Sequence, residues 1–221
     1  ILLGKTNTHE FAYGSSGDRS YFGAAHNPHS MAHMTGGSSS GSAAALGAGL
    51  AWAPLGTDTS ASVRLPAALC GVVGMKPTYD LVSRQGVFTL SQALDHVGPM
   101  TRSVRDNAMM LALIAGRPAD TYTRLLESSI RGKTVGIAME FYDCVLSEEI
   151  RCALDAACDV FRQAGANVVS VYVPNVEAIY SAQQFVLKAE AYAEHRSALL
   201  RGEPYQDEVR ARLMTGENIE H

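Results

Sequence analysis

The sequence lacks any long uninterrupted apolar run, because Gly47, Gly49 and Pro54 break the best candidate, residues 43–55. No membrane-spanning segment is therefore expected. Lysine is also scarce: only 4 of the 18 lysines and arginines are lysine, and they form no cluster. The net charge of -4 offers no electrostatic surface to a polyanion, so the sequence gives no reason to expect nucleic acid as a partner.

Cysteine is rare and has no spacing typical of a metal or redox site. The cysteines, none of them in a CxxC motif, are Cys70, Cys144, Cys152 and Cys158. We expect buried free thiols in a reducing compartment. Because no signal-peptide pattern is present, we also expect a cytoplasmic protein. The spacing of His26, His29 and His33 would need a helix, which Pro28 prevents, so no metal site is expected there.

Charge is absent from residues 31–57, which contain no Asp, Glu, Lys or Arg. Two loops rich in small residues, at 36–42 and 56–64, carry Ser38 and Ser62, which are 24 positions apart. The apolar segment 43–55 between them predicts a buried helix rather than a solvated linker. Loops of this kind bring backbone N–H groups and hydroxyls close to a substrate.

The order of these motifs resembles the amidase signature family of serine hydrolases. The matching segments are the two loops, the Cys-Gly to Lys-Pro-Thr run at 70–78 and the Asp-His-Val-Gly-Pro run at 95–99. The resemblance covers residues 1–116, whereas residues 117–221 fit the variable region of the family only loosely. It implies an α/β fold, with a mixed β-sheet core covered by helices, of which this chain is a fragment.

The resemblance also implies the chemistry. Ser62 is expected to be the nucleophile that attacks a linear amide and forms an acyl-enzyme. The N–H groups of Thr59, Ser60, Ala61 and Ser62 are expected to form the oxyanion hole. Ser38 is expected to follow a cis peptide bond and to relay the proton between the nucleophile and the base. The implied partner is a small-molecule amide, and no metal or organic cofactor is implied.

The base of this family is a neutral lysine whose pKa is lowered by burial. It precedes the first serine loop at a position before Ile1. The lysines present are Lys5, Lys76, Lys133 and Lys188. Lys5 and Lys76 match other lysines of the family, so we assign no base within the chain. Residues 1–4 are typical of the end of a buried strand, which also fits a fragment of a longer polypeptide.

Three polar residues near the loops are expected to brace them: Ser39, Asp58 and Arg64. The chain departs from the family pattern at Ser60 and Ala61, which replace a Gly-Gly pair where a positive φ is needed. Two other functions stay open. One is the glutamine-hydrolysing subunit of a tRNA-dependent amidotransferase, and the other is a relative without catalysis. Homo-oligomerisation is also left open.

The remaining sequence predicts regular elements. Ser103 caps a helix over 103–115, and a βαβ unit follows with a strand at 134–138, a helix from Ser147 to Gly165 and a strand at 168–173. Its helix should bury Ile150, Leu154, Ala157 and Phe161. A helix over 176–200 should bury Ile179, Ala182, Val186 and Ala189, with Glu190 and His195 on the solvated side. Residues 202–221 should lack a closing element.

Overall fold

The computed structural model describes residues 2–138 and 146–219, which fall into two compact units. The first unit combines Ile1–Leu126 with Gln184–His221, and the second comprises Glu127–Gln183. Helices and strands of both orientations are present, in one antiparallel and one parallel sheet, so the predicted α/β class is confirmed. No helix of the described residues is both long and apolar enough to span a membrane.

The first unit contains a three-stranded antiparallel sheet. Its strands are β1 (Leu55–Asp58), β2 (Val73–Gly74) and β3 (His96–Thr101), with β3 in the centre. Asp58 at the end of β1 lies opposite His96 at the start of β3. This register brings the segment that follows β1 next to the segment that precedes β3.

The helix between the two serine loops is shorter than predicted. Helix α1 (Ser40–Gly47) begins inside the first loop and ends well before residue 55, which already belongs to β1. The prediction of one buried helix over 43–55 is therefore wrong. Gly49 adopts a φ of 74°, which ends the helix, and Leu50 and Trp52 after it are exposed. The Ala43 and Leu46 side chains are fully buried beneath the loops.

Helix α2 (Arg64–Leu69) follows the second loop, and helix α3 (Val104–Ile114) follows β3. The predicted cap of α3 is confirmed, because the Ser103 side chain accepts a hydrogen bond from the Asp106 N–H at 3.1 Å. The core below both serine loops consists of apolar side chains from α1, α2 and β3 and the residues that flank them. Its members are Ala43, Leu46, Val63, Ala67, Cys70 and Met100.

The second unit is the predicted βαβ unit. Strands β4 (Thr134–Ala138) and β5 (Asn167–Val171) are parallel, and helix α4 (Glu148–Gln163) lies between them in the chain. Ser147 caps α4, and Gly165 follows its end with a φ of 86°. The predicted apolar face is wrong in part. Ile150, Ala157 and Phe161 are exposed, Leu154 is half-buried, and Cys158 is the buried residue of α4.

Helix α5 (Val176–Leu200) has the predicted extent, but its predicted buried face is wrong in part. Ala189 is buried as predicted, whereas Ile179 and Ala182 are exposed and Val186 is half-buried. His195, expected on the solvated side, is buried together with Leu187 and Ala191. The C-terminal segment also differs from expectation, because it forms helix α6 (Asp207–Met214). Val209 and Leu213 of α6 are fully buried in a cluster with Tyr13, Leu90, Leu187 and Ala191. The cluster explains why α5 turns this face inward.

Two further expectations fail. Leu2 and Leu3 are exposed and lie outside any strand, so they are not the end of a buried strand. Among the cysteines, Cys70 and Cys158 are buried free thiols as expected, but Cys152 is exposed because it lies on a different side of α4 from Cys158. Cys144 lies outside the described residues.

Candidate functional site

The first serine loop has a cis peptide bond between Gly37 and Ser38, as the resemblance implies. Ser38 is fully buried, and its backbone carbonyl accepts hydrogen bonds from the His9 N–H at 3.0 Å and the Thr8 hydroxyl at 2.8 Å. Its hydroxyl, in contrast, has no hydrogen-bond partner within the described part of the chain. Burying a hydroxyl without a partner costs free energy, and the Ser40 hydroxyl in the same loop is also buried without one among the described residues.

The second loop is organised by the buried carboxylate of Asp58. This side chain accepts hydrogen bonds from the N–H groups of Ala61 at 2.8 Å, Val63 at 3.2 Å and Arg64 at 3.4 Å. The Arg64 guanidinium adds two contacts of 3.0 Å, through Nε and Nη2. Burial acts to raise the pKa of Asp58, but the hydrogen bonds and charge of Arg64 and the backbone donors outweigh it and lower the pKa.

Ala61 adopts a φ of 77°, a conformation that glycine adopts most readily. This is one of the two positions where the chain replaces the Gly-Gly pair of the family pattern. Its N–H already donates to Asp58, as described above. Three other predicted oxyanion donors, the N–H groups of Thr59, Ser60 and Ser62, flank it in the same loop.

Ser39 joins the two loops directly. Its N–H donates to the Ser62 carbonyl at 3.2 Å, and its hydroxyl contacts both the carbonyl and the N–H of Thr57 at 3.3 and 3.2 Å. Gly56 makes this approach possible, because a Cβ there would lie 2.5 Å from the Ser39 Oγ. The structure thus holds the backbones of Ser38 and Ser62 in adjacent loops, with Ser62 itself 8% exposed.

Asp95 begins the family-like run at 95–99, but the sequence predicted no role for it or for His9. The His9 ring is fully buried, packs where Gly14 leaves room, and accepts a hydrogen bond from the Gly17 N–H at 3.3 Å. Burial lowers the pKa of His9, which favours the neutral ring. Asp95 accepts a hydrogen bond from the Thr59 hydroxyl at 2.5 Å. The available signal was an acidic residue directly before a buried strand.

Lys76 contacts a backbone carbonyl and a histidine ring. Its Nζ donates to the Pro77 carbonyl at 2.9 Å and lies 3.2 Å from the His96 Nε2. The His96 Nδ1 lies 2.6 Å from the Leu94 carbonyl, so this nitrogen carries the proton and Nε2 accepts from Lys76. These contacts hold the Lys76 amine against β3 and its flanking residues.

Comparison with known proteins finds relatives along the whole chain. The family model described as Amidase matches residues 1–221. A glutamyl-tRNA(Gln) amidotransferase subunit from Trichlorobacter lovleyi is 44% identical, over 86% of this chain and 41% of that protein. The corresponding subunit from Geobacter sulfurreducens is 39% identical, over 98% of this chain and 51% of that protein.

Solved structures agree with this result. A crystal structure of an amidase superposes with a TM-score of 0.90 at 34% identity, covering 100% of this chain and 49% of that one. Native peptide amidase from Stenotrophomonas maltophilia gives a TM-score of 0.75 at 31% identity, covering 97% of this chain and 52% of that one. The chain therefore spans about half the length of the relatives that it matches.

Proposed function

The chain belongs to the amidase signature family, and on that premise we propose that it carries the nucleophile and proton relay of a cytoplasmic carbon–nitrogen hydrolase acting on small linear amides. One observation carries the proposal. The buried residues Ser38 and Ser62 lie in adjacent loops, which Ser39 joins because its N–H donates to the Ser62 carbonyl at 3.2 Å. We assign the two catalytic serines and the oxyanion donors to residues 1–116, and the variable region of the family to residues 117–221.

In the proposed reaction, Ser62 Oγ attacks the amide carbonyl while Ser38 accepts its proton and passes it to a lysine amine outside residues 1–221. The N–H groups of Thr59, Ser60 and Ser62 stabilise the tetrahedral oxyanion. The Ala61 N–H is left out of this set, because Asp58 already accepts its hydrogen bond. The leaving amine takes up a proton, and water then hydrolyses the ester on Ser62.

Asp58 and Arg64 contribute by holding the loop rather than by contacting the substrate. The two oxygens of Asp58 accept bonds from three N–H groups of residues 61–64. This network fixes where the donors of the loop point before any substrate binds. Preorganised donors of this kind are effective because no reorganisation is needed during the reaction.

The direct test compares Ser62→Ala with the unaltered sequence, both within a polypeptide that includes the proposed lysine. Hydrolysis of a panel of simple amides should fall by several orders of magnitude, while the urea midpoint is retained. Ser197→Ala, at an exposed position on α5, is the matched control and should keep full activity. Residues 1–221 alone should give no turnover. Wild-type rates in a folded Ser62→Ala variant would remove Ser62 from the mechanism.

A second function is favoured by the relatives named as glutamyl-tRNA(Gln) amidotransferase subunits. In that case the same serines would hydrolyse glutamine only in the presence of partner subunits and tRNA. The amide panel separates the two functions. Turnover of simple amides without partners supports the stand-alone hydrolase, whereas glutamine hydrolysis that depends on added partners supports the amidotransferase function.

A further inference from the structure

We propose that Asp95 is a positioning residue for the oxyanion loop, acting through the side chain of Thr59. The inference deepens the proposed function and rests on it. Asp95 does not touch the reacting atoms in this proposal. It holds the first residue of the segment 59–62, which carries the proposed oxyanion donors of Thr59, Ser60 and Ser62.

The buried Asp95 side chain accepts three hydrogen bonds. Its Oδ1 accepts from the Thr59 hydroxyl at 2.5 Å, and its Oδ2 accepts from the Leu90 N–H at 2.8 Å and the Ser91 N–H at 3.1 Å. The residue is 5% exposed, and within the described residues no lysine or arginine forms an ion pair with it. The Asp95 side chain is therefore held by three hydrogen-bond donors, one of which is the Thr59 hydroxyl.

The segment that carries Asp95 is itself anchored to helix α5. Glu190 accepts hydrogen bonds from the Ser91 hydroxyl and from the Ala93 N–H, the latter at 3.0 Å. The N–H of Asp95 also donates to the Ser91 carbonyl at 2.9 Å. Asp95 is thus fixed by helix α5 on one side and by β3 on the other, since His96 begins that strand.

Two carboxylates therefore hold the loop at its two ends. Asp58 bonds to the N–H groups of Ala61, Val63 and Arg64, which form the second half of the loop and its exit. Asp95 bonds to the Thr59 side chain, at the start of the loop. The Thr59 and Ser60 N–H groups lie in the half that Asp95 controls, so losing this tether should misplace them while the Ser62 side remains held.

The test is Thr59→Val, which removes the hydroxyl and retains the branched shape. In the complete enzyme we expect kcat to fall by about 10- to 100-fold, with a smaller change in KM, because misplaced donors weaken the transition state more than substrate binding. Thr59→Ser restores the hydroxyl and should recover the greater part of the lost kcat.

The matched control is Thr101→Val. Thr101 is a fully buried threonine whose hydroxyl donates to the Ser103 carbonyl at 2.8 Å, at the end of β3 remote from Asp95. This variant should lower the urea midpoint as Thr59→Val does but should leave kcat unchanged. Equal loss of kcat in both variants would show a general stability effect and would overturn the proposal.

An activity-free measurement separates this inference from the proposed function. Backbone order parameters of Thr59 and Ser60, measured by NMR on the complete enzyme, should fall from about 0.85 towards 0.6 in Thr59→Val but not in Thr101→Val. If the unaltered enzyme hydrolyses no amide, the proposed function fails. The order parameters alone then show whether the Asp95–Thr59 hydrogen bond holds the loop. Unchanged order parameters, or an unchanged kcat in an active enzyme, would overturn the role of Asp95.

Discussion

Replacing Asp58 by asparagine should destabilise the chain by about 3 kcal/mol. The fully buried carboxylate accepts five hydrogen bonds, two at Oδ1 from Ala61 and Arg64 and three at Oδ2 from Val63 and Arg64. Asparagine keeps one oxygen and turns an NH₂ group towards the donors of the other. At least two donors then lose their acceptor, at a cost of about 1–3 kcal/mol each where they are buried.

The hydrogen bonds from the Arg64 guanidinium contribute less to this loss of stability, because the side chain is half-exposed and water can solvate it. Arg64→Gln should therefore cost about 1 kcal/mol or less. The backbone donors are the part that water cannot replace. The expected order, with Asp58→Asn clearly more destabilising than Arg64→Gln, follows from this difference in burial.

The effect of Asp58 should also depend on pH. Because the pKa of Asp58 is lowered in the folded chain, the unfolded chain takes up the proton first as the pH falls. The stabilisation is complete well above about pH 4 and is lost as the pH falls from about 4 through the folded pKa. The stability difference between the unaltered chain and Asp58→Asn should therefore shrink at acid pH.

Urea unfolding followed by circular dichroism between about pH 3 and about pH 7, which lie on either side of the unfolded pKa, measures these differences. The control is Asp106→Asn, an exposed acid at the start of α3, which should cost much less. A loss below about 1 kcal/mol for Asp58→Asn at neutral pH would contradict the reasoning. So would a difference that grows as the pH is lowered.

Two further outcomes follow from the same loops. Ser38→Ala in the complete enzyme should lower kcat strongly with little change in KM, because Ser38 transfers a proton in the chemical step and does not bind the substrate. A change in KM without a change in kcat would argue against this relay. Ala61→Gly should raise the free energy of unfolding by about 0.5 kcal/mol, since glycine accommodates the φ of 77° without strain, and urea midpoints of the two chains measure it. A lower midpoint would show that the Ala61 side chain packs more favourably than its backbone is strained.

The sequence predicted elements wherever local signals are strong. The caps at Ser103 and Ser147 and the apolar strand at 134–138 specify α3, α4 and β4 through neighbouring residues alone. The buried face of α5 could not be predicted in this way. His195 is buried because it packs against Phe11 and Tyr205, of which Phe11 is remote in sequence. Apolar residues are spread around α5 rather than gathered on one face, so the sequence does not show which face these partners contact.

The same distinction between local and long-range signals applies to the candidate site. The serine loops were found because their composition and order are distinctive over a short stretch. Asp95 and Glu190 were missed because their roles depend on pairings across 36 and 99 positions in the chain. A carboxylate gives no sign in the sequence of which hydroxyl it will accept from. The early end of α1 was missed because the apolar segment after it resembles a helix in composition but lies on the surface.

The first compact unit is discontinuous, and this affects how it forms on the ribosome. Tyr13 and Leu90 are synthesised early, but the core that covers them also needs Leu187, Val209 and Leu213. At about 5–20 residues per second, the nascent chain waits on the order of ten seconds between Leu90 and Leu213. The βαβ unit can fold during this interval, because its two strands and helix α4 emerge together. The apolar side chains of Tyr13 and Leu90 therefore lack part of their core until helix α6 has been synthesised.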